Sequence, residues 1–162
     1  MKVQLIAADV KDIPEIGALA FKIWQNHYPN IIGQAQVDFM LGKLYNENAL
    51  AAQMQSGQQF YLIRQEDENV GFLAISETKP GNYFLHKFYI ETRKHRGGIG
   101  TKAFDALLKL IPNAREIKLQ VNRQNHKPIN FYFKQGFTIT EVADFDIGDG
   151  FFMNDFIMTW SK

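Results

Sequence analysis

The fold turns on the stretch Leu85-His86-Lys87-Phe88-Tyr89-Ile90 and on its continuation Arg93-Lys94-His95-Arg96-Gly97-Gly98-Ile99-Gly100-Thr101. The first six residues are rich in β-formers. Beyond the glycines, Phe104, Leu107, Leu108 and Ile111 recur at i, i+3, i+4, i+7, which is a helical stripe. A strand therefore runs into a short, basic, glycine-rich turn and then into a helix. Glycines let the backbone bend tightly and let a ligand approach without meeting a Cβ. The first N–H groups of a helix lack intrahelical partners, and the helix dipole adds partial positive charge there. A phosphate or pyrophosphate satisfies both needs. Arg93, Lys94 and Arg96 add cationic charge at the same point. Neither G-x-G-x-x-G nor the Gly-Lys-Ser/Thr of a nucleoside-triphosphate loop is present. On these residues alone, a phosphate site and a solvated basic corner are equally open readings.

Working outward, 162 residues suit one domain, 1–162, with a core of ordinary size. A net charge of +1 argues against a strong nucleic-acid or membrane footprint. Hydrophobic residues at 46% argue for a packed globule, and 14 phenylalanines for an aromatic core. The absence of cysteine excludes disulfides, thiolate catalysis and cysteine metal ligation, and no metal is expected. No segment approaches membrane length, so a cytoplasmic location is expected.

In chain order, Val3 to Ile6 reads as a strand. Asp12 to Glu15 has capping-box spacing ahead of a helix running to about Gln25, with Ile13, Ile16, Leu19, Ala20 and Ile23 on one face. Tyr28-Pro29-Asn30 breaks it. Helices follow over Gln36 to Leu44 and Glu47 to Gln55, the latter capped by Asn46. Gln59 to Gln65, Val70 to Thr78 and Tyr83 to Glu91 form an antiparallel meander. After the glycine turn and its helix come a strand at Glu116 to Val121, a polar loop, and a short helix over Pro128 to Gln135. Two last strands follow, Phe137 to Val142 and Phe152 to Trp160, separated by an acidic loop over Asp144 to Gly150. The strands joined by the glycine-turn helix should be parallel neighbours.

Two motifs inside this order resemble the GNAT family of acetyl-CoA-dependent N-acetyltransferases, over nearly the whole chain. The first resembles the acyl-CoA loop Q/R-x-x-G-x-G/A, which follows a Leu-Tyr-Val-like triplet. Here the triplet is Phe88-Tyr89-Ile90 and the loop is His95-Arg96-Gly97-Gly98-Ile99-Gly100. The two glycines of the pattern fall on Gly98 and Gly100. His95 stands where the family has Gln or Arg, and Gly97 where a basic residue is frequent. The second motif, Val121-Asn122-Arg123-Gln124-Asn125-His126-Lys127-Pro128-Ile129-Asn130-Phe131-Tyr132-Phe133-Lys134-Gln135-Gly136-Phe137, is similar to V-N-x-x-N-x-x-A-I-x-F-Y-x-x-x-G-F. Pro128 replaces the usual Ala, which a first helical turn accepts.

The resemblance implies a mixed α/β fold: a mostly antiparallel seven-stranded sheet with one splayed parallel pair, flanked by helices. It implies that acetyl-CoA is the co-substrate. Pantetheine would bond main-chain groups at Phe88, Tyr89 and Ile90, and the pyrophosphate would sit on N–H groups from His95 through Arg96, Gly97, Gly98, Ile99 and Gly100 to Thr101. Asn125 would bond the CoA arm; Asn122 would face the cleft or simply form a turn. An amine attacks the thioester directly, a backbone N–H near Tyr89 stabilises the oxyanion, and Tyr132 matches the family's general acid for the departing thiolate. No motif position names the base. His86, by its intrinsic pKa, ranks ahead of Glu77.

The acceptor-forming parts would be Tyr28 to Leu44 and Asp144 to Asp155. Tyr28, the segment Gln36 to Tyr61 and the last hairpin are similar to a bacterial subgroup that includes polyamine acetyltransferases. Asp144, Asp146, Asp149 and Asp155 would favour a cationic amine, or form a solvated acidic turn. The expected function is therefore acetylation of a small amine such as a polyamine. A protein N-terminus or lysine as acceptor, and a non-catalytic acyl-CoA-binding module, are the alternatives. Family members often dimerise, so a homodimer is open.

Overall fold

The computed structural model describes residues 2–91 and 97–162. The chain forms two compact units. The first runs to Ser76 and includes His86–Pro112; the second joins Glu77–Leu85 to Asn113–Lys162. Among the described residues the strand order is β1-β2-β3-β4-β5-β7-β6 in one seven-stranded sheet. Their ranges are β1 Val3–Ala8, β2 Gln59–Gln65, β3 Glu68–Lys79, β4 Asn82–Ile90, β5 Glu116–Asn122, β6 Thr138–Gly148 and β7 Phe151–Ser161. The sheet is mixed, with β4 and β5 as its parallel pair, as the motifs imply.

In the first unit β1 runs antiparallel to β2, with Val3 opposite Gln65, and β2 antiparallel to β3. Apolar burial drives the helices onto this sheet. Helix α1, Ile13–His27, buries Ile13, Ile16, Leu19, Ala20, Ile23 and Trp24. Its cap differs from the Asp12/Glu15 expectation. Asp9 and Asp12 form the capping box, around a 3₁₀ turn over Val10–Asp12. With the Asp12 carboxylate already accepting the Asp9 N–H at 3.0 Å, it does not cap α1. Glu15 instead accepts from Asn69 at 2.7 Å.

Helix α1 ends at His27 with Tyr28 as its C-cap, at the expected break. Pro29 then opens a single turn, α2, Pro29–Ile32. A proline in a first turn loses no hydrogen bond. Gly33, at φ 84° and ψ 154°, separates that turn from the next helix. Helix α3, Gln34–Leu44, buries Val37 and Met40. Helix α4, Glu47–Gln55, is capped by Asn46, whose Oδ1 accepts the Ala49 N–H at 2.8 Å. Helix α5, Ile99–Leu110, buries Ile99, Ala103, Phe104 and Leu107 and packs on β1.

In the second unit β4 pairs with β5 at Asn82, Tyr83 and Phe84, opposite Glu116, Ile117 and Lys118. Ile117, Leu119 and Val121 alternate inward along β5. Helix α6, His126–Lys134, buries Ile129 and Tyr132. The last two strands correct the sequence reading. The stretch from Asp144 is not a loop: β6 continues to Gly148, and β7 begins opposite it at Phe151. Only Asp149 and Gly150 turn, with φ of 52° and 80°. Two successive positive φ values make the tight hairpin turn that Asp-Gly favours, because its twist matches the flanking strands. Polar composition outweighed that dipeptide signal in the sequence.

Candidate active site

The predicted residues fall on two stretches of the first unit and two of the second. At the glycine turn, Gly97 and Gly98 are both left-handed, at φ 82° and 73°. An L-residue there is strained by about 1–2 kcal/mol. Gly98 is the N-cap of α5, and no side chain caps that helix. A Cβ on Gly98 would meet nothing within 4 Å. Behind it, Ile99 is buried and anchors the turn. The first N–H groups of a helix, here from Ile99 onward, have no acceptor within the helix itself. A twelve-residue helix with a glycine-fronted N-terminus suits a phosphate. His95 and Arg96, with Arg93 and Lys94, lie outside the described residues.

Along β4, Phe88, Tyr89 and Ile90 follow His86 and Lys87. The Tyr89 ring is held 5.8 Å from Trp24 and 5.6 Å from Phe72 between ring centres. Tyr45 packs 6.1 Å from Phe72, and Trp24 stacks on Tyr28 at 4.2 Å. The backbone of Tyr89 is held just as closely. A Cβ on Gly71 would fall inside the Tyr89 carbonyl oxygen and 2.9 Å from the Ile90 Cα. Gly71 follows a bulge: Ile63 faces Gly71 and Arg64 faces Asn69, so Val70 is the extra residue. The Val70 carbonyl accepts the Glu91 N–H at 2.8 Å. The β4 segment proposed to hold pantetheine is thus shaped from β3.

His86 Nε2 lies 2.7 Å from Ser76 Oγ. Burial first, and then the neighbouring Lys87 charge, lower its pKa to about 4. The ring is neutral at pH 7, as a base must be, but its basicity is weak. Lys87 is itself buried, which lowers it to about 8. It donates to Gln58 Oε1 at 3.2 Å and lies over the Phe60 and Tyr45 rings at 5.4 and 5.7 Å.

In the second unit Glu77 clamps the β3–β4 turn. It accepts from the Gly81 N–H at 3.0 Å and from Asn113 Nδ2 at 2.8 Å. Those bonds, the Gly81 one foremost, hold its carboxyl below the usual range. Tyr83 donates to the other end of Asn113 at 2.7 Å.

Asn122 ends β5 and accepts the Gln124 N–H at 2.9 Å, forming an Asx turn. Asn125 is buried and its side chain does not cap α6. Tyr132 is buried on α6, its ring 5.5 Å from both Phe131 and Phe137. Burial raises its phenol far above the ordinary value, so it keeps its proton throughout the physiological range. Among the described residues nothing hydrogen-bonds its hydroxyl.

The structure therefore brings His86, Phe88–Ile90 and Gly97–Thr101 into the first unit, and Glu77, Asn122, Asn125 and Tyr132 into the second. Of the four aspartates, Asp155 is not part of a solvated turn. It lies inside β7, fully buried, with Asn122 of β5 on one side and Ala143 of β6 on the other. Sequence reasoning missed Gly71, the aromatic cluster and Lys87. A glycine within the apolar run Val70-Gly71-Phe72 is the signal that marks the first.

The profile of the acetyltransferase (GNAT) domain matches residues 31–149. The chain belongs to the GNAT acetyltransferases, and its enzyme class is acetyl-CoA-dependent N-acetyltransferase. No curated protein matches it in sequence. Among solved structures it is similar to the PaiA N-acetyltransferase of Thermoplasma acidophilum in complex with coenzyme A, at 21% identity and TM-score 0.81, covering 100% of both chains. A GCN5-related N-acetyltransferase of Rhodopseudomonas palustris gives 18% and 0.81, covering 100% of this chain and 97% of that one. A GNAT acetyltransferase of Elizabethkingia anophelis with acetyl-CoA bound gives 17% and 0.56, covering 70% and 82%. These likenesses concern the fold.

Proposed function

We propose that the chain transfers the acetyl group of acetyl-CoA to a primary amine of a small cationic molecule, of which a polyamine is the leading case, by direct attack in a ternary complex. The observation that carries the co-substrate half is the pair of left-handed glycines fronting the N-terminus of α5. Main-chain N–H groups there take the pyrophosphate, with Ile99 anchoring the turn. Phe88, Tyr89 and Ile90 offer main-chain groups to the pantetheine arm, as an added strand would. Asn122 and Asn125 are assigned to the CoA side of the second unit. Acetyl-CoA supplies an activated acyl group whose thiolate must be protonated as it leaves.

Tyr132 is assigned that proton. Its phenol is protonated at every working pH and has no other hydrogen bond among the described residues. His86, neutral and half-buried, is assigned the role of drawing the proton from the amine, directly or through water. Glu77 is already committed to the Gly81 turn and is the weaker candidate. The cationic acceptor is supported by the carboxylates carried on the last hairpin, Asp144, Asp146 and Asp155.

An acceptor screen with acetyl-CoA tests this reading. Thiol release is followed over polyamines, amino acids, aminoglycosides and peptides. Turnover is expected with di- and polyamines. Turnover with peptides alone would replace the small amine by a protein acceptor.

A further inference from the structure

Asp155 stands apart from every other carboxylate among the described residues. Its side chain is fully buried, and neither Oδ1 nor Oδ2 has a hydrogen-bond partner. Nothing local supplies one. Ala143, opposite it on β6, has no polar side chain. Asn122, opposite it on β5, uses its Oδ1 to hold the Gln124 N–H. Arg123 acts on Asp155 electrostatically, and its backbone N–H donates to the carbonyl of Asn154, the residue before Asp155, at 3.0 Å. Its guanidinium, however, gives its hydrogen bond to the exposed Asp144, at 2.8 Å. Of the two carboxylates it acts on, this guanidinium bonds only the exposed one.

Asp is a poor strand former, and a buried carboxylate without a donor destabilises the fold. Asn, Thr or an apolar residue would fill the same place at less cost. A donor brought by a ligand would satisfy it, and a cationic donor does so most strongly, because it adds charge attraction to the hydrogen bond. The ligand's ammonium cannot be the one that reacts. A desolvated carboxylate stabilises the charged form of an amine, and attack on a thioester needs the neutral form.

Resting on the reading that the acceptor is a small cationic amine, we propose that Asp155 and Asp144 hold the non-reacting ammonium of a di- or polyamine acceptor, which displaces the Arg123 guanidinium from Asp144. Asp155 is then a specificity-determining residue. Arg123 is the competitor that keeps the two charges from repelling when no acceptor is bound.

The experiment compares spermidine, putrescine and butylamine as acceptors for wild type, Asp155→Asn and Arg123→Gln at pH 8. Butylamine reacts at one amine and carries no second charge. Asp155→Asn is expected to raise KM for spermidine and putrescine by more than about 30-fold, with KM for butylamine and acetyl-CoA within about threefold. Arg123→Gln is expected to act in the opposite direction and lower KM for spermidine. An unchanged spermidine KM in Asp155→Asn overturns the proposal, as does a rise in Arg123→Gln as large as that in Asp155→Asn.

Spermidine binding followed by NMR titration, without acetyl-CoA, separates this inference from the reading beneath it. Asp155-dependent binding without turnover sinks the acetylation reading and leaves the site. Turnover with a spermidine KM indifferent to Asp155 sinks the site alone.

Discussion

Replacing Asp155 by Asn should stabilise this protein at neutral pH and leave it unchanged in acid. Burial pushes the Asp155 carboxyl from its ordinary 3.8 up to about 6; Arg123 opposes that rise and Asp144 adds to it. A carboxyl whose pKa is higher in the folded state binds its proton more tightly there than in the unfolded chain. The folded state therefore loses stability as pH rises from about 4 to about 6, and the loss is complete above that window. At 1.36 kcal/mol per pH unit the full effect is at most about 3 kcal/mol. Asn removes the titration and keeps the shape, so the gain at pH 8 is bounded by the same figure. It corresponds to a Tm rise of roughly 6–12 °C for a chain of this size.

Urea denaturation of both proteins between pH 4 and 8 measures it, and the difference between them is the quantity to read. Wild-type stability alone would mislead, because His86 runs the other way. Its folded pKa is lowered to about 4, so the unfolded chain takes up the proton first and stability falls as pH drops through 6.5. The two slopes overlap and partly cancel in wild type; the Asp155→Asn difference isolates one of them. A difference that is constant across pH, or an Asn variant less stable at pH 8, refutes the argument. A variant that gains stability and loses spermidine affinity shows the stability–function trade expected when a strained group is kept for binding.

Tyr132→Phe should lower kcat by about 10²-fold or more while leaving KM for acetyl-CoA close to wild type, as removal of a general acid does. Thermal stability should hold or rise, because the hydroxyl makes no hydrogen bond among the described residues; a large Tm drop would mark it as structural. Gly71→Ala should destabilise by about 2–4 kcal/mol, read by denaturant titration, since its Cβ has no room against Tyr89 and Ile90. Gly98→Ala should weaken acetyl-CoA binding by calorimetry through a strained left-handed turn, about 1–2 kcal/mol. His95→Ala should cost less, as follows from the proposal that main-chain donors hold the anion; the reverse ranking would refute that. His86→Ala should remove an acid limb of kcat/KM centred near pH 4, and a limb that stays in place clears His86 of the role.

The parts of this fold that sequence made legible are those where a local rule acts alone. Strand β2 and helix α4 match their expected bounds residue for residue, because an apolar run between turns and an Asn46 cap need no tertiary help. The glycine turn was legible because glycine adopts the left-handed region that Gly97 and Gly98 occupy without strain. What was not legible depends on partners distant in sequence. Asp12 and Glu15 have capping-box spacing, yet Asp9 took Asp12, and Asn69, 54 residues away, took Glu15.

Asp155 is the sharpest case. In sequence it is one of four acidic residues near the C-terminus, and composition makes such a group look solvated. What separates it is the register of β7 between β5 and β6, which sets Ala143 beside it and directs Arg123 to Asp144. That register follows from the two-residue Asp149-Gly150 turn together with the bulge at Ile147, which shifts the pairing by one residue between Gly148↔Phe151 and Asp146↔Phe152 and so sets Ala143 opposite Asp155. The buried charge is thus specified by the turn and the bulge beside it. A one-residue insertion between Asp149 and Gly150 should therefore abolish the Asp155-dependent pH slope while leaving Asp155 itself untouched. An insertion variant that keeps the slope would show that the residues around Asp155, and not the hairpin register, bury it.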